Sequence, residues 1–373
     1  MTDSRANGPV IVHVFGRTDV GRTREHNEDA FVVADLTTMN ATLQPEVRTH
    51  VTGERGTLFM VADGMGGAAA GEVASQMATE IVLAELDARW RQSPMKDADT
   101  FAAAIRGATE MANVAIHRFA AEHPENRGMG TTATIAGLLG DRLYLAQVGD
   151  SRSYLVRNGH AIQITKDQSL MQKLIEAGEL TPEEAEVSER RNIILQALGP
   201  EPAVKVDLTH QPVRAGDTLI LCSDGMSGQM RANDIARIVD EGPDLVTICK
   251  ALIELANENG GPDNITVIAA RFEGEGLQPP EGADAVGHAV FRSSGESRAT
   301  MPVDANLVAT LEVAASAPTR PSKPPTPRVT APVAPPASAA PPSSGRPSPT
   351  ALRLIFGAIF ILVAAALYLT RGR

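Results

Sequence analysis

Thr131-Thr-Ala-Thr-Ile-Ala-Gly-Leu-Leu139, Arg142-Leu-Tyr-Leu-Ala-Gln-Val148 and Arg152-Ser-Tyr-Leu-Val-Arg157 follow one another with only Gly140-Asp141 and Gly149-Asp150-Ser151 between them. Apolar runs of this length, rich in β-branched and aromatic residues and bounded by turn residues, read as strands. Asn158-Gly159 then joins the third run to a fourth, 161–165. It marks a type I′ hairpin, because both turn residues must take positive φ. No helix fits between these strands, so the alternation of strand and helix that builds a doubly wound parallel sheet is missing.

The pattern holds outward from this stretch. Further strands are expected at 10–15, 30–34, 58–62, 204–208, 217–222 and 264–272, and helices at 71–90, 100–122, 170–177 and 245–258. The second helix carries Phe101, Ile105, Ala108, Ala112, Ile116 and Phe119 at helical spacing, an apolar stripe made to lie on a sheet. Strands arrive in runs and helices in pairs, so the expected class is α+β, with antiparallel sheets covered by helices.

Composition divides the 373 residues into three regions. Residues 10–273 carry the strand and helix patterns and read as the folded domain. From 274 to 350 the chain loses long apolar periodicity and becomes rich in Pro, Ala and Ser. Such a segment cannot bury enough apolar surface to offset its ordering entropy, and it is expected to be a disordered linker. Residues 351–370 hold an uncharged apolar run between Arg353 and Arg371, just long enough to span a bilayer if both arginines reach the head groups. Basic residues balance on its two sides, so charge sets no orientation. The N-terminus lacks a secretory signal pattern. The two cysteines, Cys222 and Cys249, lie in apolar runs and suit a reducing compartment. The expectation is a single-pass C-terminal anchor with the folded domain in the cytoplasm.

The net charge of −11 hides an asymmetry, for seven basic and no acidic residues follow Glu312 and leave −18 on the part before them. So acidic a body is repelled by nucleic acid. Its carboxylates recur in one context. Asp63 ends Phe-Met-Val-Ala-Asp, Asp150 ends Ala-Gln-Val-Gly-Asp, Asp224 ends Ile-Leu-Cys-Ser-Asp, and Asp263 directly precedes Asn-Ile-Thr-Val-Ile. Each sits at the tip of an apolar strand, so all four can meet at one sheet edge. Carboxylates gathered there repel one another unless cations lie between them. Hard oxygen donors select magnesium, manganese or calcium over zinc. One such aspartate alone would be ordinary turn chemistry; four in one context point to metal.

More specific strings surround them: Asp19-Val-Gly through Arg24 to Asn27-Glu28-Asp29, Asp63-Gly64-Met65-Gly66-Gly67, Gly130-Thr131-Thr132, Gly149-Asp150-Ser151-Arg152, Ser223-Asp224-Gly225 and Gly261-Pro262-Asp263-Asn264. Together, in this order, they resemble the metal-dependent protein phosphatase family (protein phosphatase type 2C), and the resemblance covers about residues 13–273. It implies a four-layer α/β/β/α sandwich and a serine/threonine phosphatase whose water is activated between two divalent ions, Mn²⁺ or Mg²⁺, without a covalent intermediate. It also implies residue roles. Asp63 bridges two metals, Asp224 and Asp263 complete one site, and Glu28 with the Gly64 carbonyl serves the other. Asp29 holds a water from behind, Asp150 serves a third ion, and Arg24 grips phosphate. The substrates implied are phosphorylated proteins, and a membrane tether points to receptor-type Ser/Thr kinases among the partners.

Three positions depart from the family pattern. Gly228 stands where an acidic residue often helps Asp150, so the third site is expected to be weak. Met65 replaces a histidine that many eukaryotic members use as a candidate proton donor. Within 166–198, which resembles the mobile flap of bacterial members, Gln168 replaces a more usual histidine. Two rival readings compete with this one. Gly64, Gly66 and Ala69 imitate a dinucleotide fingerprint, but a second long helix follows where a parallel strand is required. A catalytically inactive, membrane-tethered phosphatase-like binding module would be expected to have lost a carboxylate, and none is missing.

Overall fold

The computed structural model describes residues 8–41, 48–66, 70–281 and 285–293. The chain opens with strands β1 (Ile11–Asp19), β2 (Asp29–Asp35), β3 (Arg48–Val51) and β4 (Thr57–Met65), followed by helices α1 (Ala70–Leu86) and α2 (Ala98–Glu122). A second run follows: β5 (Gly130–Thr131), β6 (Ala133–Leu139), β7 (Arg142–Val148), β8 (Arg152–Arg157) and β9 (His160–Gln163). Then come α3 (Leu170–Glu176), α4 (Pro182–Glu186), β10 (Asp207–Pro212), β11 (Thr218–Cys222), α5 (Asp224–Ser227), α6 (Ala232–Glu241), α7 (Leu245–Glu258) and β12 (Ile265–Glu273).

Every strand pairing among the described residues is antiparallel. Two sheets result, ordered β3-β1-β12-β11-β8-β9 and β10-β7-β6-β4-β2, with β5 continuing beside the end of β4. Strand alternation assigns each side chain to a layer. On β4, Leu58, Met60 and Ala62 face the cluster under α1 and α2, while Phe59 and Val61 join the core between the sheets. A third cluster seals the other sheet beneath α6 and α7, around Ile220, Val267, Ile238, Ile248 and Leu252. The four-layer sandwich is therefore the observed fold.

Several boundaries differ from the sequence reading, each for a physical reason. The strand expected at 204–208 is observed at Asp207–Pro212, because pairing with β7 sets its register. The strand expected at 131–139 breaks at Thr132, whose hydroxyl and amide turn to Asp63. Helix α6 was not expected, although Ile235, Ile238 and Val239 show helical spacing and are buried. Edge strand β3 and the short helices α4 and α5 were also missed, being too short to show a period. The expected linker begins later than residue 274. Leu277 is buried, Val290 bridges to Thr209, and Phe291 packs edge-on against Tyr144 and His210. The rest of the expected linker from 294 on, and the candidate span 351–370, lie outside the described residues. Among the described residues no helix is long and apolar enough to cross a membrane.

Candidate metal centre

The carboxylates meet at one end of the sandwich because alternation carries them there. Asp63 lies on the same face of β4 as Phe59 and Val61, so it continues the inter-sheet core outward. It is not the last residue of its strand, since β4 runs on to Met65. Asp29 opens β2 directly opposite Asp63 in the antiparallel register. Ser223 and Thr266 reach Asp29 from the other sheet, their hydroxyls donating to its Oδ2 at 2.8 and 2.6 Å. Asp224 begins the short helix after β11, and Asp263 stands two residues before β12. Asp150 sits in the turn from β7 to β8, where the chain passes from one sheet to the other. All five aspartates and Glu28 are half-buried.

Backbone contacts hold the frame. Asn264 donates to the carbonyls of Val20 and His26 at 3.0 and 2.9 Å, and its Oδ1 accepts from the Glu28 amide at 2.8 Å. It thereby pins the loop that carries Arg24 and Glu28. The Asp63 amide donates to Thr132 Oγ1 at 3.0 Å, and Thr131 Oγ1 donates to the Asp63 carbonyl at 2.8 Å. Gly64 and Gly71 leave room for Glu28: a Cβ on Gly64 would strike the Glu28 carbonyl, and one on Gly71 would strike the Glu28 carboxylate. Gln168, just before α3, accepts from the Gly149 amide at 3.1 Å and donates to Asp207 at 2.9 Å, tying the Asp150 turn to β10.

The electrostatics follow from this crowding. Burial, then the charge of neighbouring aspartates, raises Asp63 well above the ordinary carboxylate range. Burial pushes Asp29 to about 7 against the hydrogen bonds from Thr266 and Ser223. Burial followed by Asp224 brings Asp150 to about 7, while Arg152 acts the other way. Asp224 is raised by burial and by Asp263, and lowered by a hydrogen bond with Asp63. Glu28 is raised chiefly by burial, with Arg24 opposing. Arg24 donates to Asp263 Oδ2 at 2.7 Å. Burial works against its charge, but Asp263, Glu28 and Asp63 outweigh it and raise its pKa.

The donor set suits divalent cations. Asp263 is paired to Arg24, and no three His, Cys, Asp or Glu side chains among the described residues close around a single point. Yet Asp29 Oδ1 is buried without a hydrogen-bond partner, and like charges at this density are costly without cations among them. Both observations point to hard cations as the missing partners. The structure places Arg24, Glu28 and the five expected aspartates at one end of the sandwich, within electrostatic reach of one another. It adds three not singled out as side chains: Ser223 and Thr266, which fix Asp29, and Asn264, which fixes the Glu28 loop. Ser223 and Asn264 lay inside quoted motifs; Thr266 showed no signal, because only sheet pairing puts it beside Asp29.

Comparison with known proteins gives the same picture. The sequence profile of the family described as Protein phosphatase 2C matches residues 40–265. The chain is 36% identical over 258 residues to the serine/threonine phosphatase stp of Listeria monocytogenes, covering 69% of this chain and 94% of that protein. It is 38% identical over 262 residues to the serine/threonine protein phosphatase PstP of Mycobacterium tuberculosis, covering 70% of this chain and 45% of that one. The crystal structure of that phosphatase superposes with a TM-score of 0.59 at 37% identity, covering 70% of this chain and 99% of the solved one. A second structure, of the catalytic domain of a serine/threonine protein phosphatase PstP in complex with 2 manganese ions, gives a TM-score of 0.56 at 37% identity, covering 71% of this chain and 99% of the solved one. Fold, carboxylate edge and sequence agree: the chain belongs to the protein phosphatase 2C family and is a metal-dependent serine/threonine protein phosphatase.

Proposed function

We propose that this enzyme hydrolyses phosphoserine and phosphothreonine in proteins close to a membrane, with Mn²⁺ or Mg²⁺ held at the carboxylate edge. The observation that carries the reading is the meeting of Asp29, Asp63, Asp150, Asp224 and Asp263 at one end of both sheets, with Asp29 Oδ1 left unpartnered. Asp63 would serve two ions at once, Asp224 and Asp263 one of them, and Glu28 with the Gly64 carbonyl the other. Bound divalent ions would supply an activated water and neutralise charge on the phosphoryl oxygens. Arg24 binds the phosphoryl group with its guanidinium fork once it exchanges its present partner, Asp263, for phosphate. Asp29, fixed through Oδ2 by Ser223 and Thr266, keeps Oδ1 to orient a water. Met65 offers no proton to the leaving oxygen, and no protein nucleophile is required.

A third ion would rest on Asp150 beside Asp224. Gly228 lacks a side chain to assist them, so that ion would bind weakly. A C-terminal span at 351–370 would confine the cytoplasmic catalytic domain to substrates at the membrane and raise their effective concentration. Receptor-type Ser/Thr kinases fit that description.

The test is phosphate release from a phosphothreonine peptide by the full chain in detergent, with manganese, with EDTA, and with Asp63→Asn. Release is expected with manganese and should fall at least about 1,000-fold in the other two cases. Undiminished release in EDTA would refute a metal-dependent reaction. No release from well-folded protein at high manganese would favour an inactive tethered module.

A further inference from the structure

Beside the carboxylate edge, between the end of β1 and α7, lies a cavity of about 210 Å³ whose polar lining is Arg17, Asp19, Arg22, Lys250, Glu254 and Asn257. Its lining holds three cations against two carboxylates, on a body that carries −18 up to Glu312. Among the described residues, Arg17, Arg22 and Lys250 form no ion pair, and their side chains make no hydrogen bond, although Asp19 and Glu254 share the cavity. Asp19 is already engaged, its Oδ1 accepting from the Gly21 amide at 3.0 Å and from Asn257 Nδ2 at 3.2 Å. Asn257 is 7% exposed, and its Nδ2 is the donor that holds Asp19. Three cations against two carboxylates leave one positive charge in excess, and an anion between the cations relieves their mutual repulsion. Two arginines supply planar forks matched to a phosphoryl group.

Position gives the cavity its use. Arg22 and Arg24 lie on one loop, and the Arg22 amide donates to the carbonyl of Gly261, two residues before Asp263. Two residues of chain reach at most about 7 Å, so the cavity adjoins the catalytic edge through both loops. A peptide in extended conformation advances about 3.3–3.6 Å per residue. A group about two to four residues from the scissile phosphate therefore falls within the cavity's reach.

We propose that this cavity is a second anion subsite that takes a further phosphoryl group on the same substrate, giving the enzyme a preference for multiply phosphorylated segments. The proposal rests on the phosphatase reading above, which sets where the first phosphate lies.

The test compares kcat/KM of the full chain with manganese on two peptides. One carries a single phosphothreonine; the other adds a non-hydrolysable phosphonate side chain about three residues away, within the reach estimated above. The wild type is expected to favour the second peptide about tenfold, with the ratio falling as salt rises. Lys250→Glu and Arg17→Glu should each bring the ratio close to one. Equal kcat/KM in the wild type, or a ratio unmoved by both reversals, overturns the subsite. If neither peptide is hydrolysed, the phosphatase reading fails instead. The subsite is then read by fluorescence anisotropy of a labelled peptide bearing only the phosphonate, on protein in EDTA. Binding that Lys250→Glu abolishes supports it, and binding equal in both proteins, or absent from the wild type, overturns it.

Discussion

Asp29 shows how much hangs on single atoms at this site. Its Oδ2 takes two hydrogen bonds from the opposite sheet, while its Oδ1 is buried and alone. That asymmetry makes it a poor structural residue and a good functional one, since a carboxylate used only for packing would satisfy both oxygens. The same crowding has a consequence for stability. Asp29 and Asp150 are raised from the ordinary 3.8 to about 7. Between those values the folded protein holds protons that the unfolded chain has already released, so the native state binds more protons and stability falls as pH rises. The contribution is full below the unfolded value and is lost as pH passes through about 7. Without divalent ions, the melting temperature should therefore drop between about pH 4 and about pH 7, and manganese should flatten the drop by taking the protons' place. A melting temperature in EDTA that climbs across this window would contradict the assignment of like charges to one edge.

At the scale of elements, the ends of helices and strands decide where function sits. Helix α1 closes in a π-helical turn, Asp87–Arg91, that delivers Trp90 to the loop before β4. There Trp90 Nε1 donates to the Arg55 carbonyl at 2.8 Å, and Arg55 donates to the carbonyls of Trp90 and Ser93 at 2.8 and 2.6 Å. The guanidinium carbon also lies 5.1 Å from the indole ring centre. This lock ties α1 to the start of β4, eight residues before Asp63 on the same stretch of chain. Arg55→Ala would leave buried carbonyls unpaired and should cost about 2–4 kcal/mol of stability, read from the denaturant midpoint at constant m. A loss below about 0.5 kcal/mol would show that water replaces the guanidinium without penalty. None of this was legible beforehand, because a lone arginine in a turn carries no period. The hairpin at Asn158-Gly159, by contrast, was readable from two residues, since its conformation is local. Asn158 takes the positive φ of 51° that the turn demands.

For the molecule as a whole, the two sheets act as one frame whose shared end is the site. Asp29 and Asp63 come from one sheet, Asp224 and Asp263 flank strands of the other, and Asp150 lies in the crossing between them. The chain after β12 first returns to the body through Leu277 and Phe291 before reaching its Pro-rich part. The proposed tether is tested at this scale: the 373-residue chain should sediment with membranes, and a chain lacking 351–373 should remain in the supernatant while keeping its peptide phosphatase activity. A truncated protein that still sediments would assign membrane attachment elsewhere.

Sequence alone determined what local pattern can encode. Strand runs without intervening helices gave the class, apolar stripes gave the covering helices, and six ordered strings gave the carboxylates and Arg24. It did so because periodicity and turn chemistry act over a few residues. Tertiary structure alone decided which groups complete those residues. Ser223 and Thr266 lie 194 and 237 positions from Asp29, and Arg24 lies 239 from its partner Asp263. The cationic cavity likewise joins Arg22 to Lys250 across nearly the whole folded domain. Such contacts depend on which strand lies beside which and in what register, a property of the packed sheets that no stretch of chain carries by itself.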